Sequence, residues 1–128
     1  MAANTSPIFT NVPDIQWDTI STANTALDGT GTVATAFTAD ATDGSYVQSI
    51  FVKANTTTTT SAAATFRIFI NNGSTNGTAT NNSLFREYTL TTVTASSTAA
   101  TLNFEFPLNI QLPPGYKILC TCATLAGS

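Results

Sequence analysis

Residues able to do chemistry are scarce in this chain of 128 residues: two cysteines, Cys120 and Cys122, seven carboxylates, and no histidine. General acid-base and acyl-transfer sites draw on a histidine, or on a cysteine or lysine whose pKa a neighbouring base has lowered. A Ser-His-Asp triad is therefore excluded. Cys120 and Cys122 stand two apart in a stretch that reads as a strand, so both thiols fall on one face, and a bridge between them would distort the strand they share. Two reduced, buried thiols are expected, with Ile118 on the same face. A tetrahedral zinc site would need further ligands, which a chain without histidine or a second cysteine pair does not offer.

The aspartates Asp14, Asp18, Asp28, Asp40 and Asp43 sit near turn signals or on polar faces, where the side chain commonly bonds nearby backbone. A catalytic carboxylate pair is not expected from them. Asp40 and Asp43 beside Gly44 read as a turn, since the segment does not provide the roughly six to eight oxygens that calcium takes. Gly29 and Gly31 are followed by neither Gly-Lys-Ser/Thr nor a helix, which rules out a phosphate loop. No catalytic residue, metal ligand or cofactor is predicted. Asn-X-Ser/Thr occurs at Asn4, Asn55, Asn72, Asn76 and Asn81, as chance allows in a chain rich in Asn and Thr.

Charged residues make up 9% of the chain, against about 25% in an average soluble domain. Lys53, Arg67, Arg86 and Lys117 are the only cations and the net charge is −3, which argues against nucleic acid as a partner, because that affinity comes from neutralising phosphates. The first residues have neither a basic nor an apolar signal region, and no stretch approaches the roughly 18 apolar residues of a membrane span. A product retained in the cytoplasm of the cell that makes it is expected.

The elements that must position these residues are strands. Around the middle of the chain, Phe66, Ile68 and Ile70 alternate with Thr65, Arg67 and Phe69, and Leu84, Arg86, Tyr88 and Leu90 alternate with Phe85, Glu87 and Thr89. Neither Asn-Gly pair between them makes a good tight hairpin, because pairing there would set Phe69 and Ile70 against polar residues only. Residues 71–82 are therefore predicted to be one long polar surface loop, a length at which loops are usually functional or mobile.

Further strands are predicted at residues 15–20, 32–38, 45–54, 99–106, 108–112 and 116–125. Trp17 on the first is assigned to the core, and Ile50-Phe51-Val52, apolar on both faces, to a central strand. Residues 56–60 read as a loop or frayed edge. Leu102, Phe104 and Phe106 share a face, Pro107 ends or bends their strand, and Pro113-Pro114-Gly115 sets a turn with glycine where φ is positive. Residues 1–13, with Pro7, Ile8, Phe9, Val12 and Pro13, suit an extended arm that needs a surface to lie on. The expected architecture is all-β: an extended arm over residues 1–13, then one two-sheet β-sandwich of about eight strands over residues 14–128, jelly-roll-like and without the Cys, Trp, Cys pattern of an immunoglobulin fold.

The run from Arg67 through Ile-Phe-Ile-Asn-Asn-Gly-Ser-Thr to Asn76, then Asn82-Ser-Leu-Phe, then Pro107-Leu-Asn-Ile-Gln-Leu-Pro-Pro-Gly-Tyr-Lys, resembles small all-β virion proteins of tailed bacteriophages. The resemblance covers most of residues 14–125. It implies a structural protein of the virion, of the capsid decoration or cement type, whose partners are the major capsid protein or other virion proteins. A tail, neck or fibre component is the alternative within that class, and a host-adhesion or carbohydrate-binding module the alternative outside it. Independently, so few charges leave little self-repulsion, and a homo-oligomer is expected. Phe9 and Val12 in the arm, Asn72 and Asn76 in the long loop, and Thr58 in the threonine run are the candidate interface residues.

Overall fold

A computed structural model describes residues 14–54, 61–101 and 103–125. The candidate residues Phe9, Val12 and Thr58, the arm over residues 1–13, the run at 56–60 and Leu102 lie outside that set. Among the described residues six strands form: β1 (Ala34–Thr38), β2 (Ser45–Lys53), β3 (Ala64–Asn71), β4 (Asn82–Leu90), β5 (Asn103–Leu112) and β6 (Lys117–Cys122). They make an all-β structure of two sheets, one ordered β1-β6-β3-β4 and the other β2-β5, every pairing antiparallel.

The first strand pairs with the last, the second with the fifth and the third with the fourth, which is how a long hairpin pairs when rolled onto itself. The eight-stranded jelly roll is not completed among the described residues, because the second sheet has two strands. Two expected strands account for the difference from eight. Residues 15–20 are not a strand, and the segments on either side of Pro107 join into the single strand β5. It bends where the register slips between Val47 and Ser49 of β2, opposite Asn109, whose φ is 49°. That left-handed conformation is one that Asn tolerates better than most residues. The Pro114-Gly115 turn forms as expected, with Gly115 at φ 76° and the Tyr116 N–H donating to the Pro113 carbonyl.

The inner faces meet in one core. Phe66 and Ile68 of β3, Leu90 of β4, Leu108 and Leu112 of β5, and Ile118, Cys120 and Cys122 of β6 are buried together. The Phe106 ring of β5 stacks on Tyr88 at 3.9 Å and on Phe66 at 5.8 Å, joining the two sheets. Phe69 and its register partner Leu119 are on the other face of the larger sheet yet are fully buried. The long loop helps cover that row: Asn76 donates to Thr35, which pairs with Leu119, and the Lys117 ammonium donates to the Asn76 side-chain oxygen and the Ser74 carbonyl.

The loop's base is a buried amide pair. Asn71, with no exposed surface, donates from Nδ2 to Asn82 Oδ1 at 2.7 Å and accepts from the Gly73 N–H at 2.8 Å. Removing it strands both partners, so Asn71→Ala is expected to lower unfolding free energy by about 1–3 kcal/mol in a urea titration. Thr121 runs the other way. Its hydroxyl is buried with no hydrogen-bond partner among the described residues, and Thr121→Val keeps the shape while removing an unpaired polar atom. Equal or raised stability is expected, and a clear loss in the same titration would contradict it.

Candidate functional site: an open apolar cleft between the sheets

Residues 14–19 determine the site. They run beside β1 without joining it as a strand, and their polar side chains stand in for a neighbouring strand's backbone. Gln16 accepts from the Thr38 N–H at 2.8 Å and donates to the Thr38 carbonyl at 3.0 Å, while Asp18 accepts from the Thr35 N–H at 2.8 Å. With Gln16 and Asp18 turned to β1, the intervening Ile15 and Trp17 point to solvent, 84% and 83% exposed. The core assignment of Trp17 is thereby corrected: the polar half of the alternation, not the apolar half, faces the sheet.

A second correction concerns β2. Its two-sided apolar centre suggests a central strand, but among the described residues β2 pairs with β5 alone, and Tyr46 and Phe51 are 59% and 61% exposed. All four exposed residues, Ile15, Trp17, Tyr46 and Phe51, line one open cleft of about 1380 Å³ between β2 and the inner face of β1 and β6. Asp14, Asp18, Asp40, Asp43 and Lys53 also line it. Single exposed apolar residues are ordinary on a protein surface, whereas a cluster of large ones, with two aromatics and a tryptophan among them, marks a contact surface.

The remaining candidate residues fall elsewhere. Asn72 is exposed, with its side-chain oxygen accepting from the Ser74 N–H. Asn76 is half-buried and committed to Thr35 and Lys117, so the structure places it as an anchor of the loop. Asp28 and Asp40 hold turns: the Thr30 hydroxyl and N–H donate to Asp28, and the Asp43 and Thr42 N–H groups to Asp40. These bonds favour the ionised forms and hold both carboxyls below their ordinary range. Because the folded pKa values are depressed, this support is present above the ordinary carboxylate value and is lost as pH falls through and below it.

Cys120 and Cys122 are free and buried on the inner face, as expected. Burial, with Asp18 adding its negative charge, pushes the Cys120 thiol up to about 12, and burial also raises Cys122, whose Sγ donates to the Thr124 carbonyl. The reactive species of a cysteine is the thiolate. Labelling of the native protein at pH 7 is expected to be slow and to become rapid on unfolding, with a colorimetric thiol assay as the check. Among the described residues no group of three or more His, Cys, Asp or Glu could hold a metal ion, and no helix is long and apolar enough to cross a membrane.

No protein-family model, no curated protein and no solved structure matches the chain.

Proposed function

We propose that this chain is a non-enzymatic structural component of a virion, a bacteriophage capsid decoration protein that bridges capsid subunits and stabilises the head. The observation that carries the reading is the cleft, which gathers Ile15, Trp17, Tyr46 and Phe51, four of the five large apolar residues exposed among the described residues, Leu27 being the other. Aromatic anchors of this kind concentrate binding energy at protein contacts. The partners are capsid or other virion proteins, and the protein's place is the virion assembled in the host cytoplasm. A tail, neck or fibre position would use the same surface.

The test compares particles with and without the protein, heated while released DNA is followed. Earlier release from particles lacking it is expected, and equal release would remove the cement role. One observation favours a second reading: Trp17 and Tyr46 are exposed aromatics beside Asp14, Asp40 and Asp43, and an aromatic platform with convergent polar groups is what a sugar site requires. Binding on a glycan panel that Trp17→Ala abolishes would move the protein to host adhesion.

A further inference from the structure

The two sheets have four edges, bordered by β1, β4, β2 and β5. An unpaired strand edge invites pairing with another chain, and proteins guard such edges with charge, proline, bulges or covering groups. Three of the four are guarded. Gln16 and Asp18 satisfy backbone groups of β1, β4 carries Arg86 and Glu87, and β5 carries Pro107 and the distortion at Asn109. Among the described residues β2 has no such device: no proline, no bonded cover, and Lys53 at its last position as its one charge. It also carries Tyr46 and Phe51, exposed beside the open cleft. The cleft takes in residues along the whole of β2 but of β5 only Phe104 and Leu108, which places it on the unpaired side of β2, with Ala34, Ala36 and Phe37 of β1 as its other wall. A strand added to β2 would lie over β1 and fill it.

The sequence supplies a fitting strand. Residues 1–13 contain no charged side chain to meet the four aspartates lining the cleft, and Pro7 and Pro13 bracket Ile8-Phe9-Thr10-Asn11-Val12. Written as a strand, this segment would carry Ile8 and Val12 on one face and Phe9 on the other. The flanking prolines suit an outermost strand, since they offer no N–H to a further neighbour.

The chain's own β2 is poorly placed to receive it. Gln16 bonds Thr38 and Asp18 bonds Thr35, so residues 14–18 run antiparallel to β1 and leave Asp14 at the end where β1 gives way to β2. Crossing from β1 to β2 takes the six residues 39–44. Only Pro13 separates Val12 from Asp14, too little for the same crossing with a reversal. We propose that residues 8–12 of one copy add as a short strand to the free side of β2 in a second copy, seating Ile8 and Val12 in its cleft. Each copy then has one donor and one acceptor, so copies associate as a reciprocal dimer, a ring or, where the rotation does not close, an open filament. With the cleft filled from a second copy, the capsid contact proposed above rests on the exposed Ile15 and Trp17 outside β2, and the copy-to-copy contact stands on the edge and the cleft alone.

The test is run in solution on the full-length protein, without particles. Light scattering after size exclusion is expected to show an oligomer. Ile8→Asp with Val12→Asp should spoil the donor, and Phe51→Asp the acceptor, each weakening self-association about tenfold or more. Circular dichroism and thermal melting confirm that each variant is folded; Phe51 is exposed, so its replacement leaves the core intact. Mixing the two variants is decisive, because the donor-dead chain keeps a sound acceptor and the acceptor-dead chain a sound donor. A one-to-one heterodimer that neither forms alone is expected. A wild-type chain that stays monomeric at millimolar concentration, or variants that fail to complement on mixing, would overturn the proposal. Direct pairing of two β2 edges predicts failure to complement, and seating of the arm in its own cleft predicts the monomer. Either outcome would leave the capsid reading to be judged separately by particle heating.

Discussion

Phe66→Ala is expected to cost about 3–5 kcal/mol, a third or more of the roughly 5–15 kcal/mol by which a domain is stable. Phe66 is 1% exposed at the middle of β3, with Tyr88 and Cys122 as its register partners on either side. Its ring stacks on Phe106 of the smaller sheet, an aromatic pair that adds about 0.5–1.5 kcal/mol to the burial itself. Two strands alone are marginal in water, so the β2-β5 sheet keeps its place only through contacts of this layer. Phe66→Leu retains most of the buried volume and is expected to lose less than half as much. The check is a urea titration of both variants beside Thr89→Ala, an exposed position. A Phe66→Ala midpoint no lower than that of the surface control would contradict the role given to this layer.

The strands that carry this layer were legible because their alternation is set by burial on one side. β3, β4, β5 and β6 lie where Phe66 and Ile68, Tyr88 and Leu90, Phe104 and Phe106, and Ile118 and Cys120 place them, and the long connection from Asn71 to Asn82 spans the gap expected of it. Three features were not legible, each for a different reason. Hydrophobic alternation cannot tell that Gln16 and Asp18 would be spent on the backbone of β1, which turns Trp17 outward. Phe69 was set on the face away from Ile68, and so it is, but a register slip opposite Phe85 and a loop tied down by Lys117 leave both faces covered there. The apolar centre of β2 records contact on both sides without saying what makes it. Among the described residues only one side is occupied, and the cleft that results was hidden in the sequence because it depends on which strand is missing beside β2.

Particles carrying the protein are expected to hold their DNA to higher temperature than particles without it, and that advantage should change little with salt. A ligand of the assembled state stabilises it by about 2.7 kcal/mol per site at a hundredfold excess over Kd. A head presents many equivalent sites, so modest individual contacts sum to a large effect. On the proposed reading the contacts come from Ile15, Trp17, Tyr46 and Phe51, in a cleft whose lining also holds Asp14, Asp18, Asp40, Asp43 and Lys53. Between 0.1 M and 1 M salt the screening length falls from about 10 Å to about 3 Å, which weakens a charge-steered interface and leaves an apolar one nearly unchanged. Trp17→Ala together with Phe51→Ala removes two aromatic anchors. At about 2 kcal/mol or more for a central anchor, copies per particle at limiting concentration should drop steeply although the variant folds, since both residues are exposed. Occupancy can be read by densitometry of purified particles and DNA release by dye fluorescence during heating. If high salt strips the wild-type protein from particles while the double variant stays bound, attachment runs through the aspartates and Lys53 and not through the aromatics, and the aromatic cluster loses its claim to be the contact surface.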